Sequence, residues 1–287
     1  MKKQTFKEEF FRIIFFLSAA TAILAIFLIC IFIFMNGLPF IGKYGISHFL
    51  LGNDWSPSNT PASYGILPMI VGSVFITIGA IALGVPTGVF TAVFMVYYCP
   101  KQIYAFLKSA VNLMAAIPSI VYGFFGLQLL VPWIGSFSGN GMSVLTASLL
   151  LGIMILPTII SLSESAIRTV PPAYYAGSLA LGASHERSIF SVILPAAKSG
   201  IFSAVILGVG RAIGETMAVI LVAGNQPIIP SGLFAGTRTM TTNIVLEMAY
   251  ASGQHREALI ATSAVLFVFI LIINAIFAYM KGKAVHE

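Results

Sequence analysis

The sequence predicts an all-α integral membrane protein with six membrane-spanning helices and both termini in the cytoplasm. Hydrophobic residues make up 58% of the 287 residues and charged residues 8%, and the mean hydropathy is +0.98. A soluble globular chain carries about 25% charged residues. The apolar residues also fall into runs of about 20 residues, the length that crosses a bilayer.

The first predicted span is the apolar run 13–35, which follows a polar tail at residues 1–12. The run exceeds the roughly 7 to 15 apolar residues of a signal peptide, so we expect it to be retained. A long polar connection, residues 36–63, follows it. Within this connection we expect a short surface helix at residues 46–51 and an interfacial anchor at Trp55.

The second span, 64–98, and the third, 110–133, each contain a proline. Pro86 predicts a kink in the second span and Pro118 a break in the third, since proline lacks the amide hydrogen that a helix needs. A short turn at residues 100–109 is expected between them.

The remaining spans are predicted at residues 142–166, 199–223 and 258–279. A polar connection, 168–198, joins the fourth span to the fifth. A second long connection, 225–257, joins the fifth to the sixth and is expected on the outer side.

Lysine and arginine placement predicts the orientation, because cytoplasmic loops carry an excess of both. Eleven of them flank the spans on one side and three on the other, which places both termini inside. The inner set is Lys2, Lys3, Lys7, Arg12, Lys101, Lys108, Arg168, Arg187, Lys198, Lys281 and Lys283. The outer set is Lys43, Arg238 and Arg256.

The fifth predicted span carries two charges near its middle, Arg211 and Glu215, which would share one face of a continuous helix. An arginine at the centre of a membrane helix costs roughly 2.5 to 3.5 kcal/mol on insertion scales, and such residues usually face a bundle interior or an aqueous path. We therefore predict a functional site; the alternative is mutual neutralisation that locks helices together. Gly208, Gly210 and Gly214 predict close helix packing.

The connection 168–198 predicts a knob of two short helices, 173–181 and 185–193, on the cytoplasmic side. Two prolines can begin the first helix, and Gly182 can end it. Such a knob could dock in a groove on a soluble partner. The alternative is an ordinary amphipathic connector.

This connection resembles the signature loop of ABC importer permeases, which is Glu-Ala-Ala, three residues, Gly, nine residues and Ile-x-Leu-Pro. The spacing from Gly to Pro is complete, but the leading Glu is replaced by Ala176. The resemblance implies that the loop couples the permease to an ATPase. The residues so implicated are Ala176, Gly177, Ser178, Gly182, Ala183, Leu194 and Pro195.

Three further segments resemble the permease subunits of phosphate ABC importers. They are residues 64–72 (YGILPMIVG), 116–123 (AIPSIVYG) and 210–218 (GRAIGETMA). The last string is specific for the phosphate branch, and the similarity runs from residue 64 to the end of the sixth span. The long first outer connection, with its Trp-x-Pro, resembles the C-type subunit of the two permeases in such systems.

The resemblance implies a type I ABC importer permease fold in the cytoplasmic (inner) membrane. Residues 1–63 would form the tail, first span and outer loop, and residues 64–287 the permease core. Implied partners are a homologous second permease, a cytoplasmic ATP-binding subunit dimer and an extracytoplasmic phosphate-binding protein. In this family the residues that match Arg211 and Glu215 are linked to phosphate passage. No cofactor is implied.

The chain itself is not expected to be an enzyme, since it has no Gly-x-x-x-x-Gly-Lys-Ser/Thr loop for ATP. Three alternatives stay open. The substrate could be another oxyanion, such as molybdate or sulfate. The chain could be an ion-coupled secondary carrier, in which the two charges serve binding and proton relay, or a non-transporting scaffold.

Other site classes have little support in the sequence. The basic residues are scattered rather than clustered, which argues against nucleic acid as a partner. No nucleophile–base pair or metal-ligand spacing stands out, and we expect packing roles for Cys30, Cys99 and Glu164 and a solvated loop around Arg238. The four histidines, expected at the surface, are His48, His185, His255 and His286.

Overall fold

The structure, a computed structural model, describes the backbone of residues 2–286 and the side chains of residues 7–280 and 282. Within these residues, six helical segments are long and apolar enough to cross a membrane, as predicted. They are Lys7–Tyr44, Leu67–Tyr98, Ser119–Ser138, Val144–Thr169, His185–Gly214 and Gly253–Met280. The side chains of Lys2, Lys3, Lys281, Lys283 and His286 lie outside the described ones.

The first helix, α1 (Lys2–Tyr44), continues beyond its predicted end at residue 35 and passes through Pro39. The extension is stable because it packs on the last helix of the chain. A Cβ on Gly37 would lie 3.0 Å from the Cα of Ala261, so the glycine allows the two backbones to cross closely.

The predicted short helix is confirmed as α2 (Ile46–Leu51). A two-stranded antiparallel hairpin follows, formed by β1 (Trp55–Ser56) and β2 (Ser63–Tyr64). The hairpin packs on the last turns of α1 through a buried cluster that includes Phe40. This region is therefore a folded cap on one end of the bundle.

The second span, α3 (Leu67–Val93), runs through Pro86 and ends in a π-helical turn, Phe94–Tyr98. The predicted turn at residues 100–109 is wrong, because the chain there forms a further helix, α4 (Lys101–Ala116).

The third span begins after α4 rather than at residue 110. The predicted break is confirmed, because Pro118 is extended and precedes a new helix. This span contains α5 (Ser119–Phe125), a π-helical turn (Gly126–Leu130) and α6 (Val131–Ser138).

The second half of the chain contains the remaining helices. They are α7 (Val144–Thr169), α8 (Pro172–Ala180), α9 (His185–Ser188), α10 (Leu194–Gly214), α11 (Met217–Val222), α12 (Met240–Glu247) and α13 (Gly253–His286). A π-helical turn, Ile189–Ile193, makes α9 continuous with α10. The second short helix of the knob therefore extends into the fifth span instead of stopping at Pro195.

Helix α7 is the centre of the bundle and packs between α3 and α10. Glycines on α3 bring it close: a Cβ on Gly84 would lie 2.7 Å from Ile155, and one on Gly88 would lie 2.7 Å from Ile159. Small residues at such crossings allow close van der Waals contact, which drives helix association where water is absent.

A buried carboxylate fastens α4 to α7. Glu164, whose side chain is 3% exposed, lies 2.8 Å from Lys108 Nζ and 2.9 Å from Arg168 Nε. The hydroxyl of Tyr104 donates to the same carboxylate at 2.6 Å. The packing role expected for Glu164 is confirmed, and its contacts with Tyr104 and Lys108 attach α4 to the bundle.

Candidate substrate path and coupling loop

Arg211 lies in the last turn of α10, within the fifth span. The side chain is half-buried, and its Nη1 is 3.5 Å from Thr158 Oγ1 on α7. The guanidinium therefore has a long contact with a hydroxyl and, among the ion pairs of the described residues, no carboxylate partner.

The predicted continuous helix through Arg211 and Glu215 is wrong. Helix α10 ends at Gly214, and Glu215 is extended, with φ −70° and ψ 131°. Its carboxylate accepts hydrogen bonds from the amides of Thr216 (3.1 Å) and Ala218 (3.2 Å), at the start of α11. The two charges therefore lie on either side of a helix break and do not share a helix face.

The three glycines near Arg211 have different surroundings. A Cβ on Gly208 would lie 2.9 Å from Ile159 Cγ1, so the packing role predicted for it is confirmed. A Cβ on Gly210 or on Gly214 would meet nothing within 4 Å. The packing expected of these two glycines is not found within this chain, and they leave open space beside Arg211.

A hydrogen bond from a neighbouring segment stabilises the break between α10 and α11. Thr241 Oγ1, in the first turn of α12, donates to the carbonyl of Glu215 at 3.1 Å. Sequence reasoning missed both Thr158 and Thr241. Threonine in an apolar segment usually bonds to its own helix, so nothing in the sequence distinguishes these two.

The knob predicted on the connection 168–198 is confirmed as α8 and α9. Gly182 has φ +85°, which lets the chain turn after α8. The side chains of α8 all remain outside the core, and Leu181 beside the turn is 91% exposed. Tyr174 and Leu179 on α8 are exposed as well, so the knob presents several apolar side chains at its surface.

The residues of the signature loop divide into an exposed group and a half-buried group. Ala176, Gly177, Gly182 and Pro195 are exposed, whereas Ser178, Ala183 and Leu194 are half-buried. The structure thus brings the first part of the signature to the surface. It places Leu194 and Pro195 at the start of α10.

Polar contacts hold the knob together although the leading glutamate of the signature is absent. Tyr175 hydrogen-bonds to His185 Nδ1, and Ser178 Oγ lies 2.9 Å from Ser188 Oγ. At the start of α9, the amide of Arg187 donates to Ser184 Oγ at 3.3 Å and caps the helix.

A second buried carboxylate lies in the cap. Glu247, with a 9% exposed side chain, is 2.6 Å from Arg238 Nη1 and 2.8 Å from His255 Nε2. Trp55 Nε1 donates to it at 2.9 Å. The expectations of a solvated Arg238, an interfacial Trp55 and a surface His255 are therefore wrong, because all three side chains bind the buried Glu247 carboxylate.

The other described histidines and the cysteines do not form a cluster of reactive or metal-binding side chains. His48 is exposed as expected, but His185 is half-buried among tyrosines. Cys30 and Cys99 are free and half-buried. Among the described residues, His, Cys, Asp and Glu form no group of three that could hold a metal ion.

The fold is that of a multi-span helical membrane protein with a protruding knob of two short helices and a charged break in one span. Residues 84–284 match the family model described as the binding-protein-dependent transport system inner membrane component. The chain belongs to this family.

Individual relatives indicate the kind of permease to which the chain is similar. The chain is 37% identical to a probable ABC transporter permease, YqgH, of Bacillus subtilis, covering 89% of this chain and 84% of that protein. It is 34% identical to the phosphate transport system permease PstC of Mesorhizobium japonicum, covering 92% and 87%. A probable PstC of Methanocaldococcus jannaschii is 32% identical, covering 97% and 95%.

Solved structures share the fold. A bacterial alginate ABC transporter, crystallised with its periplasmic protein bound to an alginate pentasaccharide, gives a TM-score of 0.65 at 18% identity, covering 93% of this chain and 94% of that one. The inward-facing MetNI methionine ABC transporter gives 0.63 at 17% identity, covering 76% and 95%. The type I ABC importer permease fold is therefore confirmed.

Proposed function

We propose that the chain is a permease subunit of an ATP-driven importer that moves inorganic phosphate across the cytoplasmic membrane. Relatives named as phosphate transport permeases at 32 to 34% identity support the substrate. The observation that carries the proposal is Arg211, a cation within a membrane span whose guanidinium, among the described residues, hydrogen-bonds to the Thr158 hydroxyl alone, at 3.5 Å.

The chemistry of Arg211 fits a tetrahedral oxyanion. A guanidinium is always charged and offers a rigid fork of donors to two oxygens at once. Charge-assisted bonds of this type replace part of the hydration that phosphate loses in a pore. Because the Thr158 contact is long, little interaction within the chain has to be broken before the anion binds.

Glu215 has a different role in this proposal. Its carboxylate, bound to amides at the start of α11, lies on the outer side of the break and repels the anion, so that Arg211 does not hold it too tightly. A path must bind an ion well enough to admit it and weakly enough to release it. The attraction and the repulsion are therefore separated along the chain.

The ATP-binding partner docks on the knob formed by α8 and the turn at Gly182. A cytoplasmic ATP-binding dimer supplies the energy, a homologous second permease completes the path, and an extracytoplasmic phosphate-binding protein delivers the anion. Ala176, Gly177 and Leu181 form the exposed part of the docking surface. The tie from Tyr175 to His185 keeps this surface attached to the fifth span.

The test is labelled phosphate uptake in cells that lack their own high-affinity system, with the complete transporter expressed. We expect Arg211→Gln to lower uptake by about ten- to a hundredfold, the effect of losing one or two charge-assisted hydrogen bonds. Arg256→Gln, which removes an equal charge from an exposed site, should transport normally.

Membrane levels and competing anions complete the experiment. Uptake that requires Arg211 and resists excess sulfate and molybdate supports the proposal. If excess sulfate or molybdate inhibits phosphate uptake, the permease is assigned to that other oxyanion. Normal transport by Arg211→Gln at a normal membrane level would make Arg211 a packing residue and would overturn the proposed path.

A further inference from the structure

The buried Glu247 carboxylate joins three segments, of which the hairpin is distant in sequence. Trp55 belongs to the hairpin, Arg238 to the loop before α12, and His255 to the first turn of α13. Removing a partner from a buried carboxylate is costly, because the charge cannot recover water. Glu247 therefore fixes the C-terminal end of α12 relative to the rest of the cap.

The N-terminal end of α12 is fixed as well. Thr239 and Thr242 form a reciprocal capping box, and the amide of Met240 donates to Ser73 Oγ on α3 at 3.0 Å. A Cβ on Gly72 would lie 2.6 Å from the carbonyl oxygen of Arg238, so the loop before α12 rests directly on α3. Helix α12 is thus held at both ends.

From this fixed helix, Thr241 reaches the helix break beside the path. Its hydroxyl donates to the carbonyl of Glu215 at 3.1 Å, and its side chain is buried. A carbonyl at a helix end has no intrahelical partner, and within a bilayer it must find one in the protein. Thr241 supplies that partner from a different segment.

We propose that Thr241 is a positioning residue for the substrate path, and that Glu247 acts through it by holding α12 in place. The hydroxyl stabilises the extended conformation of Glu215. It thereby keeps Arg211 at the end of one helix and the Glu215 carboxylate at the start of the next. The role in transport rests on the proposed function.

The test compares Thr241→Val, which keeps the shape and removes the hydroxyl, with Thr241→Ser, which keeps the hydroxyl. Uptake is measured against substrate concentration and divided by the amount of assembled transporter. We expect Thr241→Val to lower the maximal rate per transporter by about fivefold, the effect of about one net hydrogen bond. The concentration for half-maximal uptake should not change, and Thr241→Ser should restore the rate.

Thr262→Val is the matched control. Thr262 is also buried, but its hydroxyl donates to the carbonyl of Ala258 within its own helix. A general loss of packing would lower the amount of transporter in both valine variants and leave the rate per transporter unchanged. That result would overturn the proposal.

A second readout does not depend on the substrate. Gly214→Cys places a thiol at an exposed position with open space around it, in a background where Cys30 and Cys99 are serine. We expect Thr241→Val and Glu247→Gln to change its labelling rate by a water-soluble thiol reagent at least severalfold, and Thr241→Ser and Thr262→Val not to.

The two readouts separate the two proposals. A wild-type transporter that imports no phosphate would contradict the proposed function, while the labelling rates would still decide the role of Thr241. Unchanged labelling in Thr241→Val, together with an unchanged rate per transporter, would exclude that role even if phosphate is the substrate.

Discussion

The break after Gly214 explains how two charges can reside in one apolar segment. Arg211 lies in the last turn of α10, where the carbonyl groups carry partial negative charge, and Glu215 lies at the first amides of α11, which carry partial positive charge. Each charge is therefore stabilised by a helix end rather than by the other. This leaves the guanidinium available for a third, mobile charge.

Because Gly208 and Gly210 have different surroundings, we expect substitutions at these two residues to have different effects. Gly208→Val would press against Ile159, so we expect a less stable protein and a lower membrane level, at a cost of about 1 to 3 kcal/mol for overpacking. A Cβ at position 210, by contrast, would meet nothing within 4 Å among the described residues, so Gly210→Val has room at this first carbon. It should reach a normal level yet slow uptake, because its side chain occupies open space beside Arg211.

The measurement is uptake per transporter together with the thermal stability of the purified complex. Equal loss of stability in both variants would contradict the difference between the two glycines. A normal rate for Gly210→Val would show that the space beside Arg211 is not part of the path.

The sequence identified Arg211 and Glu215 because charge is rare in an apolar run. It did not predict the break between them, because no proline interrupts the run, and the residues that stabilise the break lie elsewhere. Thr241 is distant in sequence, and the Glu215 side chain competes for amides that a regular helix would use. Such tertiary bonds have no periodic signature.

At the scale of elements, the exposed turn between α8 and α9 allows the proposed docking of the ATP-binding subunit to be tested. Leu181→Asp should leave the fold intact, since the side chain is 91% exposed, but should place a charge in an apolar docking contact. We expect weaker association with the ATP-binding subunit and a matching loss of uptake. Leu181→Met, which stays apolar, should retain both.

Co-purification of the ATP-binding subunit with the tagged permease measures the effect. Gly182→Arg tests the same surface with a bulky side chain, for which there is open space within the chain. The backbone φ of +85° at position 182 disfavours any residue with a Cβ, so this variant also strains the turn. Normal co-purification and uptake in both variants would contradict docking at this turn.

Elements were predicted best where apolar runs are long and worst where charge interrupts them. Lys101 and Lys108 suggested a turn, yet they belong to α4, whose Lys108 pairs with the buried Glu164. Helix α12 also lies in a stretch that reads as an outer loop, and the capping box and the Glu247 cluster order it. In both cases a buried carboxylate binds a residue that is distant in sequence, Lys108 for Glu164 and Trp55 for Glu247, and periodicity does not reveal such a pair.

At the scale of the whole molecule, the number of spans and the signature loop followed from sequence alone. Six apolar segments, three of which contain a π-helical turn, give the same fold that transporters with 17 to 18% identity adopt. The fold is kept at such low identity because it depends on the spacing of the apolar runs and on small residues where helices cross, and both can persist when most other residues change. The orientation across the membrane remains a prediction from lysine and arginine placement.

That orientation can be tested with two exposed positions, Ser58 in the hairpin and Leu181 in the knob. Three spans separate them, so they must lie on opposite sides of the membrane. The positive-inside rule then decides which side is which: the side of the membrane that holds Leu181 carries eleven of the 15 lysines and arginines, so it is expected to be the cytoplasmic side.

With Cys30 and Cys99 replaced by serine, an impermeant thiol reagent should label Ser58→Cys in intact cells and Leu181→Cys only in inverted vesicles. The reverse pattern would place the termini outside and would put the knob out of reach of a cytoplasmic ATPase. Labelling of both from one side would contradict the number of spans between them. The expected pattern is needed for every coupling argument, because α8 can receive energy from ATP only on the side where ATP is present.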